Sequence, residues 1–255
     1  MTDLNQHDPV IDLRSVIKTY PSGGSETTVL SDVSLQVMSG EFVSIMGPSG
    51  SGKSTLVNMI TGIDRPTSGE VFVAGQMVNL LNEDQLARWR GHHVGVIFQF
   101  FQLLPALTLL ENVILPMDFC RVYNRKERKD RAMALLEMFG VDGHANKLPS
   151  AVSGGEQQRG AIARAMATDP PLIIADEPTG NLDTRNASEV IHFFEMLIEA
   201  GKTVVLVTHD PTVSQRTARV IHLVDGKICR DEHKRSKAEV TSKIKTLIAG
   251  GVGEE

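Results

Sequence analysis

The chain has 255 residues, 41% of them hydrophobic, and a net charge of −5, which suits one large or two small globular domains. The acidic balance argues against nucleic acid as the main partner, because duplex binding requires a basic face. Met1 to Val10 lacks an apolar core and no apolar run approaches the roughly 18 residues of a spanning helix, so we expect neither a signal peptide nor a membrane span.

The first hundred residues predict a β-rich region with one helix. Apolar runs bounded by turn residues predict strands at Val29–Val37, Glu41–Met46, Val71–Ala74 and Val94–Phe98. The segment Ser54–Ile60 suits a helix that ends before Gly62.

Helical periodicity then dominates from Phe101 to about Met166. Strand texture returns in Leu172–Ala175 and Thr203–Val207, two short apolar runs typical of parallel strands that are buried on both faces. A closing hairpin is expected around Asp225-Gly226. These patterns predict an α/β core interrupted by a helical insertion, with an amphipathic helix in the C-terminal tail near Val240–Ile248.

A glycine-rich loop lies between the second predicted strand and the predicted helix. It fits the pattern G-x-x-x-x-G-K-[ST], whose backbone N–H groups and following helix start bind phosphate. Lysine in this pattern places a charge on the outer phosphates, and the hydroxyl of the last residue ligates Mg²⁺. The loop consists of Gly47, Pro48, Ser49, Gly50, Ser51, Gly52, Lys53 and Ser54, and we include the next residue, Thr55, in the predicted nucleotide site.

Polar residues follow three of the predicted strands. Asp176 and Glu177 end the strand that begins at Leu172, and Gln99 and His209 each follow another apolar strand. The carboxyl ends of parallel strands share one edge of a sheet, where ligands bind. We expect Asp176 to hold Mg²⁺ and Glu177, which faces elsewhere because side chains alternate, to polarise the attacking water.

The segment SGGEQQR at residues 153–159 resembles the signature of ATP-binding-cassette ATPases. The rest of the family order surrounds it, from Tyr20 through the loop, Gln99 and Asp176-Glu177 to Asn181-Leu182-Asp183 and His209, and the resemblance covers about residues 10–230. Two positions depart from the commonest pattern: Val152 stands where leucine is commoner, and Glu156 where glutamine is.

The resemblance implies a P-loop NTPase (RecA-like) core with an N-terminal antiparallel β subdomain and an inserted helical subdomain. It further implies one ATPase domain over residues 1–255, with core at about 10–99 and 167–230, helical subdomain at about 100–166 and tail at about 232–255.

Residue roles follow from the same resemblance. Tyr20 would stack on adenine, Glu177 would be the general base, and His209 would brace it and the γ-phosphate. Gln99 would contact Mg²⁺ and water, and Asp183 would link two sites across a dimer. Ser153 and the amides of Gly154 and Gly155 would grip the γ-phosphate of the other subunit's nucleotide, and Glu156 is included in the same predicted nucleotide site.

The implied assembly is a homodimer with two composite ATP sites, because one chain has one loop and one signature. Longer strings, including ARWRGHHVGVIFQFFQLLPALTLLENVILPM and DEPTGNLD, resemble the lipoprotein-release and macrolide-export branch. That branch implies a peripheral subunit at the cytoplasmic face of the inner membrane, an integral-membrane permease of the FtsX/macrolide-exporter-like type, a possible periplasmic adaptor and no nucleic acid. A permease-like complex of cell-division or signalling type, which moves no cargo, is the alternative.

The helical insertion begins with a short apolar stretch after Gln99. Phe100, Phe101, Leu103 and Leu104 follow it directly. We expect this stretch to form a groove for a cytoplasmic helix of the permease; the alternative is that these side chains belong to the core of the helical insertion.

Overall fold

A computed structural model describes residues 9–234, in which ten strands form two sheets. The predicted tail helix near Val240–Ile248 lies outside these residues. The strands are β1 (Pro9–Ser22), β2 (Ser25–Met38), β3 (Phe42–Met46), β4 (Ser68–Val73), β5 (Gln76–Met77), β6 (Val94–Ile97), β7 (Leu172–Asp176), β8 (Thr203–Thr208), β9 (Arg219–Val224) and β10 (Lys227–His233). The helices are α1 (Lys53–Ile60), α2 (Glu83–His93), α3 (Leu109–Cys120), α4 (Arg125–Met138), α5 (Gly154–Ala165), α6 (Thr184–Glu199) and α7 (Pro211–Ser214), with 3-10 turns at Val78–Leu80, Asp142–His144 and Pro149–Ala151.

The larger sheet has the order β10-β9-β3-β8-β7-β6, and its five strands from β9 to β6 run parallel. Its register aligns the strand ends, since Met46 pairs with Thr208, Asp176 with Val207, and Ile97 with Ala175. Segments that follow β3, β6, β7 and β8 therefore leave the sheet at one edge, which is where a parallel sheet builds its site.

Both faces of this sheet are covered, which explains the continuous apolar runs of β7 and β8. Val205 belongs to the core on the face covered by α1, with Leu56. Val204 belongs to the core on the opposite face, with Ile162 of α5 and Phe194 of α6. Successive side chains of β8 point to opposite faces of the sheet, so they pack alternately into two separate cores.

The smaller sheet, of order β2-β1-β4-β5, is antiparallel throughout. Strand β1 was not predicted, because register shifts along Leu13–Thr19 break the period of two that marks a strand. Helix α2, in which only Leu86 and Trp89 are buried, and the amphipathic α6 were not predicted either.

Helices α3, α4 and α5 pack on one another within residues 109–165. Each begins with a reciprocal capping box. The side chain of Thr108, Asn124 or Ser153 accepts from the backbone N–H of the glutamate three residues later, and the carboxylate of that glutamate accepts from the backbone N–H of the capping residue. Within residues 9–234 no helix has both the length and the apolar character that crossing a bilayer requires.

Candidate active site

An open cavity of about 680 Å³ lies at the carboxyl edge of the parallel sheet, a size typical of small-molecule sites. Residues from five separate parts of the chain meet there, and four of these parts follow the ends of parallel strands. The lining residues are Val29, Pro48, Ser49, Gly50, Gly52, Lys53, Ser54, Gln99, Asp176, Glu177 and His209.

The loop from Gly47 to Ser54 is shaped by its first and last glycines. Any Cβ at Gly47 would collide with the carbonyl oxygen of Leu223, and Gly52 has φ +98° with Val29 O only 2.8 Å from a Cβ position. Helix α1 starts directly afterwards, at Lys53. The loop therefore presents its backbone and the positive end of a helix to the cavity, a combination that binds phosphate.

Lys53 bends back over this loop. Its Nζ donates to the carbonyl oxygens of Gly47 at 2.8 Å and Pro48 at 2.9 Å. The ammonium is therefore held at the mouth of the loop, where the outer phosphates of a nucleotide would lie.

Asp176, at the end of β7, lies opposite the start of α1. Burial raises the pKa of the Asp176 carboxyl; a hydrogen bond with Ser54 and the charge of Lys53 oppose the rise, and the charge of Glu177 adds to it. A carboxylate, a hydroxyl and the amide of Gln99 thus line one cavity. Such hard oxygen donors, few in number and beside a phosphate loop, fit Mg²⁺.

Glu177 occupies a left-handed backbone conformation with φ 48°, rare for a residue with a side chain. The hydrogen bond from its N–H to Val207 O, at 2.8 Å, anchors that turn to β8. His209 Nδ1 lies 2.8 Å from Glu177 Oε1. Because an ionised carboxylate only accepts, the histidine donates, and its Nε2 remains directed away from this bond.

Gln99 and the segment after Glu177 are joined. Asn181 Nδ2 donates to the carbonyl oxygen of Gln99 at 2.9 Å, and a Cβ at Gly180 would lie 3.1 Å from Gln99 Nε2. The side chain that follows β6 therefore lies against the turn that follows β7.

Tyr20 lies outside the lining of the cavity but beside α1. Its hydroxyl donates to Asp64 Oδ2 at 2.7 Å, and Lys18 Nζ donates to Asp64 Oδ1 at 2.8 Å while lying 4.7 Å from the centre of the tyrosine ring. Burial and the bond to Asp64 raise the pKa of the Tyr20 phenol, and the side chain of Thr55, also bonded to it, opposes the rise.

The signature turn, which we define as Ser153 to Glu156, does not line this cavity in the part of the chain that the structure describes. Ser153 caps α5, and Asp183 caps α6 by accepting from the N–H of Asn186 at 2.9 Å and from its amide at 2.7 Å. These bonds hold the pKa of Asp183 below its usual range. Gly155 lies so close to Asn186 that a Cβ would collide with its side chain. The two helix starts therefore lie together, away from the chain's own phosphate loop.

Sequence patterns missed four polar residues that support these groups. Lys18 and Asp64 hold Tyr20, and Asn186 joins the two helix starts. Gln158 is fully buried and donates to the carbonyl oxygen of Pro178, the residue after Glu177, at 2.8 Å. The spacing of apolar residues, from which strands and helices are predicted, gives no information about such polar residues. Only the two-residue spacing of Lys18 and Tyr20, which places both side chains on one face of a strand, could have indicated that they lie together.

A second, mostly apolar groove of about 500 Å³ lies between α2, β6, α3 and α5, and Phe119, 77% exposed, lines it. The stretch Phe100–Leu104 is not among its lining residues but adjoins it, since Arg164 lines the groove and donates to the carbonyl oxygens of Phe101 and Gln102. Phe100 is 73% exposed, whereas Leu103 packs on the core of the helical region. The stretch is thus divided between surface and core.

Comparison with known proteins finds several close matches. The family model "ABC transporter" matches residues 30–180. The lipoprotein-releasing system ATP-binding protein LolD 1 of Chlorobium chlorochromatii is 44% identical over 87% of this chain and 91% of its own. The macrolide export ATP-binding/permease protein MacB of Salmonella choleraesuis is 43% identical over 89% of this chain but only 35% of its own length. A dimeric structure of the ATP-binding cassette MJ0796 bound to ADP and Pi superposes with a TM-score of 0.84, at 45% identity over 89% of this chain and 99% of that one.

Proposed function

The chain belongs to the ABC transporter family and is an ATPase, and from that premise we propose that two copies of it clamp two Mg²⁺-bound ATP molecules and thereby drive a separate membrane permease. The observation that carries the proposal is the division of the site within one chain. The cavity holds the phosphate loop, Asp176, Glu177 and His209, whereas Ser153 lies outside its lining.

A two-fold dimer brings these parts together, because each phosphate loop then faces the signature turn of the other copy. The dimeric MJ0796 cassette supports this arrangement. ATP would act as the bridge, with its γ-phosphate held from both sides, and hydrolysis would release the two copies. Ser153 and the N–H groups of Gly154 and Gly155, at the start of α5, are the proposed grip on the phosphate.

Within each cavity the loop N–H groups and Lys53 would hold the triphosphate. Ser54, Asp176 and Gln99 would hold Mg²⁺, which when bound would neutralise charge on the phosphate oxygens. Tyr20, steadied by Asp64 and Lys18, would offer its ring to the adenine.

Glu177 is the proposed general base. It would accept a proton from the water that attacks the γ-phosphorus, while the bond between that phosphorus and the ADP oxygen breaks. His209 Nδ1, bonded to Glu177, would fix the carboxylate, and Nε2 would remain free to contact the γ-phosphate. Asp183, beside the signature turn, would link the two sites.

The similarity to LolD and MacB supports an export or extraction role on lipoprotein, lipid or drug-like cargo. The permease would be of the FtsX/macrolide-exporter-like type, would hold this chain at the cytoplasmic face of the inner membrane, and would connect it to a periplasmic adaptor. The groove beside Phe119 is the proposed seat of a short permease helix, because it is apolar and opens between the parallel sheet and the helical region.

Mixing two inactive variants tests the composite site. Lys53→Ala removes the loop cation, and Ser153→Asp places a charge where phosphate would bind while keeping a good helix cap. Their heterodimer retains one intact site, so an equimolar mixture should recover about a quarter of the parent ATPase rate if pairing is random. A mixture as inactive as either variant alone would contradict the composite site.

Purification of the tagged chain from membranes, followed by mass spectrometry, tests the transport role. We expect a permease with few spanning helices, and an adaptor retained through it. A permease bound to a periplasmic cell-wall enzyme, with no exporter component, would instead favour the non-transport alternative.

A further inference from the structure

The signature turn carries a negative group of its own, the carboxylate of Glu156. Glu156 Oε2 accepts from the Ser153 N–H at 2.6 Å and from the Ser153 hydroxyl at 2.8 Å. These bonds hold the pKa of the Glu156 carboxyl below its usual range. A carboxylate therefore competes directly for the hydroxyl that, under the proposed function, must turn to the γ-phosphate.

His144 lies on the other side of this carboxylate. Its Nε2 is 2.8 Å from Glu156 Oε1, while its Nδ1 is buried and has no partner among residues 9–234. The ring thus presents one nitrogen to Glu156. Each oxygen of the carboxylate has its own partner, one on Ser153 and the other on His144.

The local charges make His144 the nearest cation-forming group to this carboxylate. Arg159 of α5 also lowers the pKa of Glu156, but more weakly than the Ser153 bonds and His144 do, and it pairs with Glu189. Along the chain, the charged residues next to His144 are Asp142 on its own turn and Lys147 after it. Within the described residues its one ion-pair partner is Glu156.

We propose that His144 is a positioning residue for the signature turn, which draws Glu156 away from Ser153 and offsets its charge when the γ-phosphate of the second copy's nucleotide arrives. The inference rests on the proposed composite site. The ring contacts Glu156 Oε1 on the side away from Ser153, so ATP-dependent dimerisation should weaken when a side chain that cannot hold this carboxylate replaces the imidazole.

The experiment measures the dimer dissociation constant with Mg²⁺-ATP by sedimentation equilibrium, in a Glu177→Gln background that prevents turnover. The parent should dimerise about three- to fivefold more tightly than His144→Gln, the range expected of a partly exposed contact between a ring nitrogen and a carboxylate. His144→Arg keeps a donor for the carboxylate and should dimerise about as tightly as the parent.

A double-mutant cycle separates positioning from a structural role. Glu156→Gln removes the charge, so adding His144→Gln to it should change the dissociation constant little. Thermal unfolding and ATP binding by the monomer verify that the variants are folded. Equal dissociation constants in parent and His144→Gln, or an unchanged effect of His144→Gln in the Glu156→Gln background, would overturn the inference while leaving the composite site standing. If the Glu177→Gln parent formed no ATP-dependent dimer, the proposed function would fall, and this inference with it.

Discussion

Gln158 Nε2 donates to the carbonyl oxygen of Pro178 at 2.8 Å, and this bond joins the helix of the signature to the turn that carries Glu177. Gln158 is fully buried, so no solvent replaces the bond if it is lost. In the proposed dimer, the start of α5 lies at the nucleotide of the second copy, and Glu177 lies at the nucleotide bound by the chain's own phosphate loop. The bond is therefore placed to couple the two sites.

Gln158→Met should slow ATP hydrolysis about five- to tenfold, because an unsatisfied Pro178 carbonyl costs on the order of 1–3 kcal/mol and loosens the turn of Glu177. ATP binding by the monomer should stay close to that of the parent. Steady-state ATPase assays and nucleotide titrations measure both. Gln157→Met is the matched control, since Gln157 bonds Val152 O in its own turn. Equal rates in the two variants would contradict the coupling.

Glu177→Gln should reduce the ATPase rate at least about a hundredfold, the usual contribution of a general base. An amide can still bond His209 but cannot take a proton from water, so ATP binding should persist and the dimer should accumulate. Size-exclusion chromatography with light scattering would detect that dimer. Turnover close to that of the parent would remove Glu177 from the role of base.

Asp176→Asn should stabilise the free chain at neutral pH, raising the Tm by about 2–4 °C for each kcal/mol relieved. The raised pKa of Asp176 means that its ionised form destabilises the folded chain. That penalty disappears as the pH falls through the folded-state pKa, so the advantage of asparagine should shrink in acid. The same variant should lose most of the stabilisation that Mg²⁺-ATP gives the parent.

Asp231→Asn is the control of opposite sign. The Arg219 guanidinium, bonded to both oxygens of Asp231 at 2.8 and 2.6 Å, holds the pKa of that carboxyl below its usual range. Its contribution to stability is present above the unfolded-state pKa and is lost as the pH falls through the folded-state pKa. This variant should therefore lower the Tm at neutral pH, and differential scanning fluorimetry across pH would compare the two. A Tm change of the same sign in both would contradict these assignments.

Phe119→Glu and Leu104→Glu test the docking groove and its border. Each puts a charge on or beside an exposed apolar surface, so co-purification with the permease should fall and transport should be uncoupled. Leu80→Glu is the control, because Leu80 is 73% exposed but lies in a 3-10 turn beside the smaller sheet. Transport and recovery of the permease at parent levels in the Phe119 variant would argue against the groove.

Patterns within short segments of the sequence were enough to predict the phosphate loop and several of the strands. The loop Gly47–Ser54 could be predicted from its sequence alone, because its backbone conformation requires glycine at fixed positions and phosphate binding requires the lysine and the hydroxyl. The runs of β7 and β8 predicted buried parallel strands, since two covered faces require apolar residues without alternation. Strand β1 was not predicted because its bulges depend on pairing with β2 and β4, and its own sequence does not indicate them.

Only the tertiary structure decided which distant groups meet. The register of five parallel strands brings Gln99, Asp176 and His209 to one edge although they are far apart in the chain. Packing of α5 against the turn before it places His144 on Glu156. Spacing along a chain specifies local conformation, but contacts between segments arise from burial of apolar faces shared by several elements, and no single segment encodes them.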